Sequence, residues 1–401
     1  MNPGFTFRDF AHRGRLSLLV LATLLLAAVC SSFAQSPDAG KAPVDTDNGF
    51  LGTQGAQPRF ESASKISSQA ELALRQQRII SVPHFTGSFA VGTKTFPFNI
   101  VGANPKAGAI THIPTQLKPV ALLFEGYEDE HGQPIVLSPE PILSSVINSP
   151  NFRNALYPTG LTQFADAVQR AQFYNTMAQE WHTLLDAPQL LRPLIIFVPK
   201  NSAKVFRNRS TGALYAIVDS SFFISHLNTL VQMEDLNVSA LPVILTRNVL
   251  LAPESDVKRC CVLGFHTSFD AGLSEGTQMV QTLVWASWID QGIVGPGVAD
   301  VTAMSHEISE WFNDPFGNNL VPAWQYPNPS LGCQNNLETG DPLATLPNAG
   351  FPVPIDGITF HPQNQVLLPW FTSQPSDAYD HAYTFPDTTL LTSPAQSCPA
   401  R

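Results

Sequence analysis

The chain has 401 residues, a net charge of −10, 13% charged residues and 34 prolines. An acidic chain without a basic stripe cannot neutralise phosphates, which argues against a nucleic-acid partner. Few charges and many prolines predict a folded protein of short strands and ordered loops, in one large domain or two.

Residues 1–34 have the pattern of a secretory signal peptide. Three arginines precede an apolar stretch over residues 16–29, and Ser32 and Ala34 are the small residues of a cleavage site. Cys30 raises the alternative of a lipoprotein signal, but the valine before it is a poor residue there, so we favour cleavage after Ala34. The apolar stretch is short for a membrane span. We therefore expect a secreted or periplasmic protein with no integral membrane span after cleavage.

Two regions follow the signal. Residues 35–75 are rich in Ser, Ala, Gly, Pro, Asp and Gln without sustained periodicity, which predicts a flexible linker with one short helix at its end. Residues 76–160 form a β-rich N-terminal region. Within it, residues 88–91 and 95–100 flank a Gly-Thr-Lys turn and predict a hairpin, and residues 119–124 predict another strand.

Helices and strands alternate in the predicted second domain, residues 161–401. The predicted helices cover residues 162–185 and 222–231, and the predicted strands cover residues 194–198, 214–218, 241–245, 261–265 and 278–289. This order favours an α+β fold with a mixed sheet.

The segment VTAMSHEISEWFNDP has no glycine, and its proline comes only at position 315, so it can form a helix. Positions four apart share a helix face, so His306 and Glu310 can point at one cation, with Glu307 beside them. In the related His-Glu-x-x-His signature of zinc proteases, the glutamate deprotonates a metal-activated water. Here Glu310 replaces the second histidine, and Glu307 is the predicted general base.

An acidic loop follows this helix. Proline and glycine return the chain through GCQNNLETGDP, which carries Glu338 and Asp341. A hydrolytic zinc site has three protein ligands and an open position, and His306, Glu310 and one loop carboxylate supply such a set. We prefer Glu338 as the ligand and Asp341 as the group that orients His306. The set is rich in oxygen, so it also admits manganese or calcium.

Other polar residues each have two interpretations. His266 follows a predicted strand and is either a replacement ligand or a core histidine. A separate calcium site could be formed by Asp314, Asn318 and Asn319, or these residues belong to a turn; we prefer the turn for the two asparagines. An oxyanion could be stabilised by His361, His381 or Tyr383, but we prefer a structural role for each of them.

Four cysteines remain after signal cleavage, and an even number in an exported protein predicts disulfide bonds. A bond between the adjacent Cys260 and Cys261 is strained. We therefore expect this pair to bridge separately to Cys333 and Cys398. The alternative is a thiolate metal site, which requires other spacings.

Three segments resemble a family of exported bacterial proteins of unassigned function: the run CCVLGFH from Cys260, the helix SHEISEWFNDP and the loop CQNNLETGDP. This likeness spans residue 78 to the C-terminus. A remoter likeness, over residues 300–342, is to the plant EXORDIUM or phosphate-induced proteins, which carry a His-Glu-Leu-x-Glu-Ala helix, a Trp and a Glu-x-Gly-Asp segment. The matching positions are His306, Glu307, Glu310, Trp324, Glu338, Gly340 and Asp341. The resemblance implies a zincin-like metal site in residues 161–401.

In zincin folds a sheet precedes the active helix, and an edge strand of that sheet binds extended substrate. Residues 278–289 are the candidate for this strand, and the alternative is that they form an internal strand covered on both sides or a helix. The leading hypothesis is an exported metal-dependent hydrolase, a zinc-type peptidase acting on a peptide or protein. The alternative is a catalytically silent envelope or extracellular binding protein with a structural metal, and a carbohydrate-binding surface protein is a third possibility.

Overall fold

The computed structural model describes residues 44–47, 59–234 and 236–399. The predicted signal peptide and the linker residues 35–43 and 48–58 lie outside the described residues. The described residues belong to one compact unit, Ala42–Arg401.

The elements of these ranges are as follows. The α-helices are α1 (Ser68–Arg75), α2 (Leu143–Ile147), α3 (Phe164–Gln172), α4 (Ser220–Met233), α5 (Thr302–Asn313) and α6 (Leu368–Phe371). The strands are β1 (Asp45–Asp47), β2 (Arg59–Lys65), β3 (Ile79–Ile80), β4 (His84–Val91), β5 (Lys94–Val101), β6 (Ile110–Ile113), β7 (Thr115–Glu128), β8 (Pro134–Leu137), β9 (Ala155–Tyr157), β10 (Gly160–Thr162), β11 (His182–Leu185), β12 (Gln189–Leu190), β13 (Leu194–Val198), β14 (Ala203–Asn208), β15 (Leu214–Asp219), β16 (Leu241–Arg247), β17 (Val249–Ala252), β18 (Val262–Ser274), β19 (Thr277–Trp288), β20 (Leu320–Gln325), β21 (Cys333–Asn336), β22 (Val353–Ile355), β23 (Ile358–Phe360), β24 (Gln365–Val366) and β25 (Thr384–Phe385).

One large mixed sheet organises these elements. Thirteen of the described strands form it, and its main path runs β1-β14-β15-β17-β18-β19-β16-β7-β12. β16 is parallel to both β19 and β7, whereas β18 and β19 are antiparallel. The predicted α+β arrangement of helices with a mixed sheet is confirmed.

Helices cover both faces of this sheet. Ile308 of α5 and Val243 of β16 belong to one core cluster, whereas Leu227 of α4 and Ile244 of β16 belong to a second. Because successive residues of a strand point to opposite faces, the two clusters lie on opposite sides of the sheet. α5 therefore packs on one face and α4 on the other.

The helix predicted over residues 162–185 is wrong in its second half. α3 ends at Gln172, and the chain then turns to reach β11, which pairs in parallel with β6. The buried carboxylate of Asp166 accepts the backbone N–H of Thr183 at 2.7 Å, which ties β11 back to α3. Trp181 packs in a different cluster from the apolar side of α3. The apolar residues that predict one helix over residues 162–185 therefore belong to two separate parts of the structure.

The candidate substrate strand, residues 278–289, corresponds to β19, and the prediction that it is an edge strand is wrong. β19 is hydrogen-bonded to β18 on one side and to β16 on the other. Within the predicted linker, β2 pairs in parallel with β18 from Arg59↔Val262 to Lys65↔Phe269. This part of the linker is therefore an ordered strand, and the short helix predicted at its end is α1.

The predicted N-terminal region is joined to the rest through the sheet. β4 and β5 form the predicted hairpin, in register from His84↔Val101 to Val91↔Lys94. β7 belongs to the same region and pairs with β16, from Thr115↔Leu241 to Pro119↔Leu245. The sheet therefore crosses the predicted boundary between residues 160 and 161.

The predicted cysteine pairing is wrong. Cys260 and Cys261 are at disulfide distance from each other, and so are Cys333 and Cys398, whose Cα atoms lie 6.0 Å apart. The reason is their placement. Cys260 and Cys261 are buried in the core beside β18, whereas Cys333 begins β21 in a hairpin to which the C-terminal segment is hydrogen-bonded.

Candidate metal centre

α5 carries the predicted motif and is buried at every position. It begins at Thr302 and ends at Asn313, ahead of Pro315, as the lack of earlier helix breakers predicts. His306 and Glu310 share a face, and His306 Nε2 lies 3.1 Å from Glu310 Oε2. The helix therefore presents an imidazole and a carboxylate one turn apart to the same point.

The acidic loop docks directly on this helix. The backbone N–H groups of Gly340 and Asp341 donate to Glu310 Oε1 at 2.9 and 3.3 Å. A Cβ at position 340 would lie 2.4 Å from His306 Nδ1, so only glycine allows the loop to approach this closely. The contact brings Glu338 and Asp341, both buried, to the helix face.

His306, Glu310 and Asp341 form the first group of side chains that could hold a metal ion. His306 Nε2 lies 3.1 Å from Glu310 Oε2 and 3.8 Å from Asp341 Oδ1. Gln363 donates its amide N–H to the Gly340 carbonyl at 2.7 Å, so its Oε1, 3.1 Å from His306 Nδ1, accepts from the ring. The Nε2 lone pair then faces two carboxylates, an arrangement that a cation between them stabilises.

Asp341 is held by the hairpin of β20 and β21. The Tyr326 hydroxyl donates to Asp341 Oδ2 at 2.6 Å, and the Gln334 amide donates to the same oxygen at 2.9 Å. Burial, followed by the nearby Asp341 charge, raises the pKa of Tyr326 above its usual value, so the phenol stays protonated as a donor. These bonds leave Asp341 Oδ1 facing His306.

His266, Glu310 and Glu338 form the second group. His266 is on β18, and its Nδ1 lies 3.2 Å from Glu307 Oε2 and 3.7 Å from Glu310 Oε2. Two residues earlier on the same strand face, a Cβ at Gly264 would lie 2.7 Å from Glu307 Cγ. Glycine at position 264 therefore lets α5 approach the strand closely enough for these contacts.

Burial sets the protonation of the two histidines. It lowers the pKa of His266 to about 3, helped by the neighbouring His306. It also lowers the pKa of His306 to about 4, although Asp341 and Gln363 act in the opposite direction. Burial, followed by the Asp341 charge, raises the pKa of Glu310 well above its usual value. At neutral pH both imidazoles are neutral, which is the form that binds metal ions.

The structure brings all five predicted site residues together: His306, Glu307, Glu310, Glu338 and Asp341. The preferred assignment within them differs, because Asp341 is grouped with His306 and Gln363 takes the predicted orienting position. Glu338 is grouped with His266 instead. Sequence reasoning gave His266 two interpretations, and its place two residues after Gly264 on a strand was the available signal.

The weaker candidates have local partners. Among the described contacts, His361 Nδ1 lies 2.6 Å from Asp300 Oδ2, His381 Nδ1 lies 2.9 Å from the Ser376 carbonyl, and the Tyr383 hydroxyl donates to the Gln374 carbonyl. The Asp314 carboxylate accepts the N–H groups of Asn318 and Asn319 at 3.0 and 2.9 Å. These last contacts are those of a turn at the end of α5, the interpretation preferred for the asparagines.

A large cavity lies on the opposite side of the sheet from this cluster. It has a volume of about 1360 Å³ and is lined by side chains of α4, β18 and β19, including Phe265, Thr267 and Phe269. These three residues alternate with Gly264 and His266 along β18, so they point away from α5. The cavity is therefore separate from the titratable cluster.

The buried donor set fits a divalent cation. Metal–ligand distances of about 2.0–2.2 Å place two ligand atoms on one ion at most ~4.4 Å apart, and both measured contacts of His306 Nε2 are shorter. Within the described ranges, no helix has the length and apolar character to cross a bilayer. Comparisons with protein-family models, curated proteins and solved structures gave no match.

Proposed function

We propose that this chain is an exported, metal-dependent hydrolase of zincin-like design that cleaves peptide bonds. The observation that carries the proposal is that Asp341 of the loop packs against the face of α5 that carries His306 and Glu310. Glu307 is the next residue of α5 after His306. Neutral imidazole and carboxylates in one buried cluster are the ligands that hydrolytic metal sites use.

His306, Glu310 and Asp341 are the residues that would hold the ion, with Glu338 next to them. Zinc suits the imidazole, and the carboxylates also admit manganese or calcium. Bound there, the metal would supply a Lewis acid that lowers the pKa of water and polarises the scissile carbonyl.

Glu307 is the proposed general base. Its Oε2 lies 3.2 Å from His266 Nδ1, and Gly264 gives it room against β18. The ring therefore orients the carboxylate beside the ligand set, where it would accept a proton from the attacking water. Tyr326 remains protonated and holds Asp341 in place.

The proposed substrate-binding edge is β18 rather than β19. β18 carries His266 and is paired with β19 on one side, and an extended peptide could pair with its other edge if that edge became free. β2 now pairs with β18 at this edge, including Ser62 opposite His266. Peptide binding there would require β2 to move aside, so the N-terminal segment would limit access to the site.

A second candidate function is a binding protein with a structural metal. The specific observation that favours it is burial: His266, His306 and Glu307 are 0% exposed, and Asp341 is 8% exposed. Structural metal sites are closed, whereas catalytic sites keep an open position. Loss of the metal would then lower the melting temperature without removing any activity.

The test uses the purified exported protein, a peptide library and elemental analysis. The Glu307→Gln variant should keep its metal and lose peptide cleavage, because the amide cannot act as a base. Glu254→Gln, at an exposed glutamate whose side chain is 88% accessible, is the matched control and should keep both. Full cleavage by Glu307→Gln would remove the base from the mechanism, and cleavage by neither wild type nor control would favour the structural candidate.

A further inference from the structure

We propose that the cluster holds two divalent cations that share Glu310 as a bridging ligand. This inference rests on the proposed metal centre and adds a second ion beside the first. His306, Glu310 and Asp341 would hold one ion, and His266, Glu310 and Glu338 would hold the other.

The grouping of the ligand atoms carries the inference. Within each group the atoms lie within 4.8 Å of one another, and Glu310 is the member that the two groups share. The two histidines belong to different groups and come from different elements, α5 and β18. One imidazole and two carboxylates on each side make two similar sets of ligands around one common carboxylate.

The position of Glu310 suits a bridge. Its Oε1 is anchored by the backbone N–H groups of Gly340 and Asp341. Its Oε2 lies 3.1 Å from His306 Nε2 and 3.7 Å from His266 Nδ1, so one oxygen is directed between the two rings. Ions bridged in two-metal sites stand about 3.5–4 Å apart, a spacing that a single shared oxygen permits.

His266 supplies independent support for the second ion. Its side chain is 0% exposed, and its Nδ1 faces two carboxylates, at 3.2 Å from Glu307 Oε2 and 3.7 Å from Glu310 Oε2. A cation between a neutral imidazole nitrogen and buried carboxylates stabilises this arrangement. The ring also lies next to the Glu310 carboxylate, so it is not an isolated core histidine.

The number of acidic groups in the cluster also favours two cations. Glu307, Glu310, Glu338 and Asp341 place four carboxyl groups in one buried volume. Burial of an ionised carboxylate is costly, and the cost is offset by protonation, by ion pairing or by a bound metal ion. In their ionised form, a single dication balances two of these groups, whereas two dications balance all four.

The test measures bound metal directly. The purified protein is reconstituted with Mn²⁺, dialysed and measured by elemental analysis and electron paramagnetic resonance. We expect about two Mn²⁺ per chain, with a spectrum showing spin coupling between neighbouring ions. His266→Ala and, separately, Glu338→Gln should each reduce the content to about one and give the spectrum of an isolated ion.

Ser268→Ala is the matched control. Ser268 is the next residue of β18 on the same face as His266 and is equally buried, but its hydroxyl donates to the Phe316 carbonyl. It should keep both ions. One Mn²⁺ per wild-type chain, or two in either ligand variant, overturns the paired site and leaves the proposed function standing. No bound metal in the wild-type protein overturns both.

Discussion

The two faces of β18 differ in chemistry although they alternate along one strand. Gly264, His266 and Ser268 point toward α5 and its buried polar cluster. Phe265 and Phe269 point the other way and line the large cavity under α4. The same strand therefore supports a titratable site on one face and, on the other, aromatic side chains that line a cavity of mixed polar and apolar character. Substitutions on each face should separate metal binding from general stability.

The largest effect is expected from Gly340→Ala on the polar side. The new Cβ would lie 2.4 Å from His306 Nδ1, so either the loop or the ring must move. We expect metal binding to be lost and the free energy of unfolding to fall by about 1–3 kcal/mol, the usual cost of overpacking. Denaturant unfolding and elemental analysis measure the two effects.

Gly295→Ala is the control for that substitution, because nothing lies within 4 Å of a Cβ at position 295. It should change neither stability nor metal content. Normal metal content in Gly340→Ala would mean that the loop does not need its close approach to His306.

Gln363→Leu should have the next largest effect. Its amide holds the His306 ring through Nδ1 and the loop through the Gly340 carbonyl. Loss of such an orienting partner typically weakens metal affinity about 10–100-fold. A competitive chelator titration gives the affinity, with Gln133→Leu on the exposed surface as control. An unchanged affinity would show that the ring is oriented without Gln363.

Features that depend on local sequence agree with the prediction, whereas features that depend on tertiary packing differ from it. The helix with His306 and Glu310 follows from spacing and from the absence of early glycine or proline, and α5 has the predicted bounds within two residues at each end. The contact between the acidic loop and α5 could be predicted because a metal site needs a third ligand and the loop carries two carboxylates. The place of Gln363 was not, because it depends on the path of the chain some fifty residues after the helix.

His266 and the cysteines show the same limit. Strand alternation indicates that His266 faces one side of a sheet, but which helix covers that side is decided by tertiary packing. The partner of Cys333 depends on the docking of the C-terminal segment on the hairpin of β20 and β21. Neither the helix that covers His266 nor the partner of Cys333 can be inferred from local sequence propensity.

Ser62→Pro tests the edge of β18. Ser62 pairs with His266 in the register of β2, and proline removes a backbone donor from the strand. If β2 restricts access, peptide cleavage should increase severalfold with metal content unchanged. Ser62→Thr keeps the donor and should behave as wild type. Equal cleavage in all three proteins would show that β2 does not cover the substrate site.

The smallest effect on the metal is expected from Phe265→Ala on the apolar face. Phe265 packs against Trp285, with ring centroids 5.3 Å apart, and it points away from α5. The substitution should lower stability, by up to about 3 kcal/mol given its partial burial, with metal content and cleavage unchanged. A loss of metal in this variant would mean that the two faces are coupled.

The most direct test of the metal centre is anomalous diffraction from crystals of the purified protein, recorded at the absorption edge of the metal that elemental analysis identifies. We expect a peak in contact with His306, Glu310 and Asp341, and its disappearance in crystals of His306→Ala. A map without a peak between these side chains, or with the metal held elsewhere on the chain, would contradict this expectation.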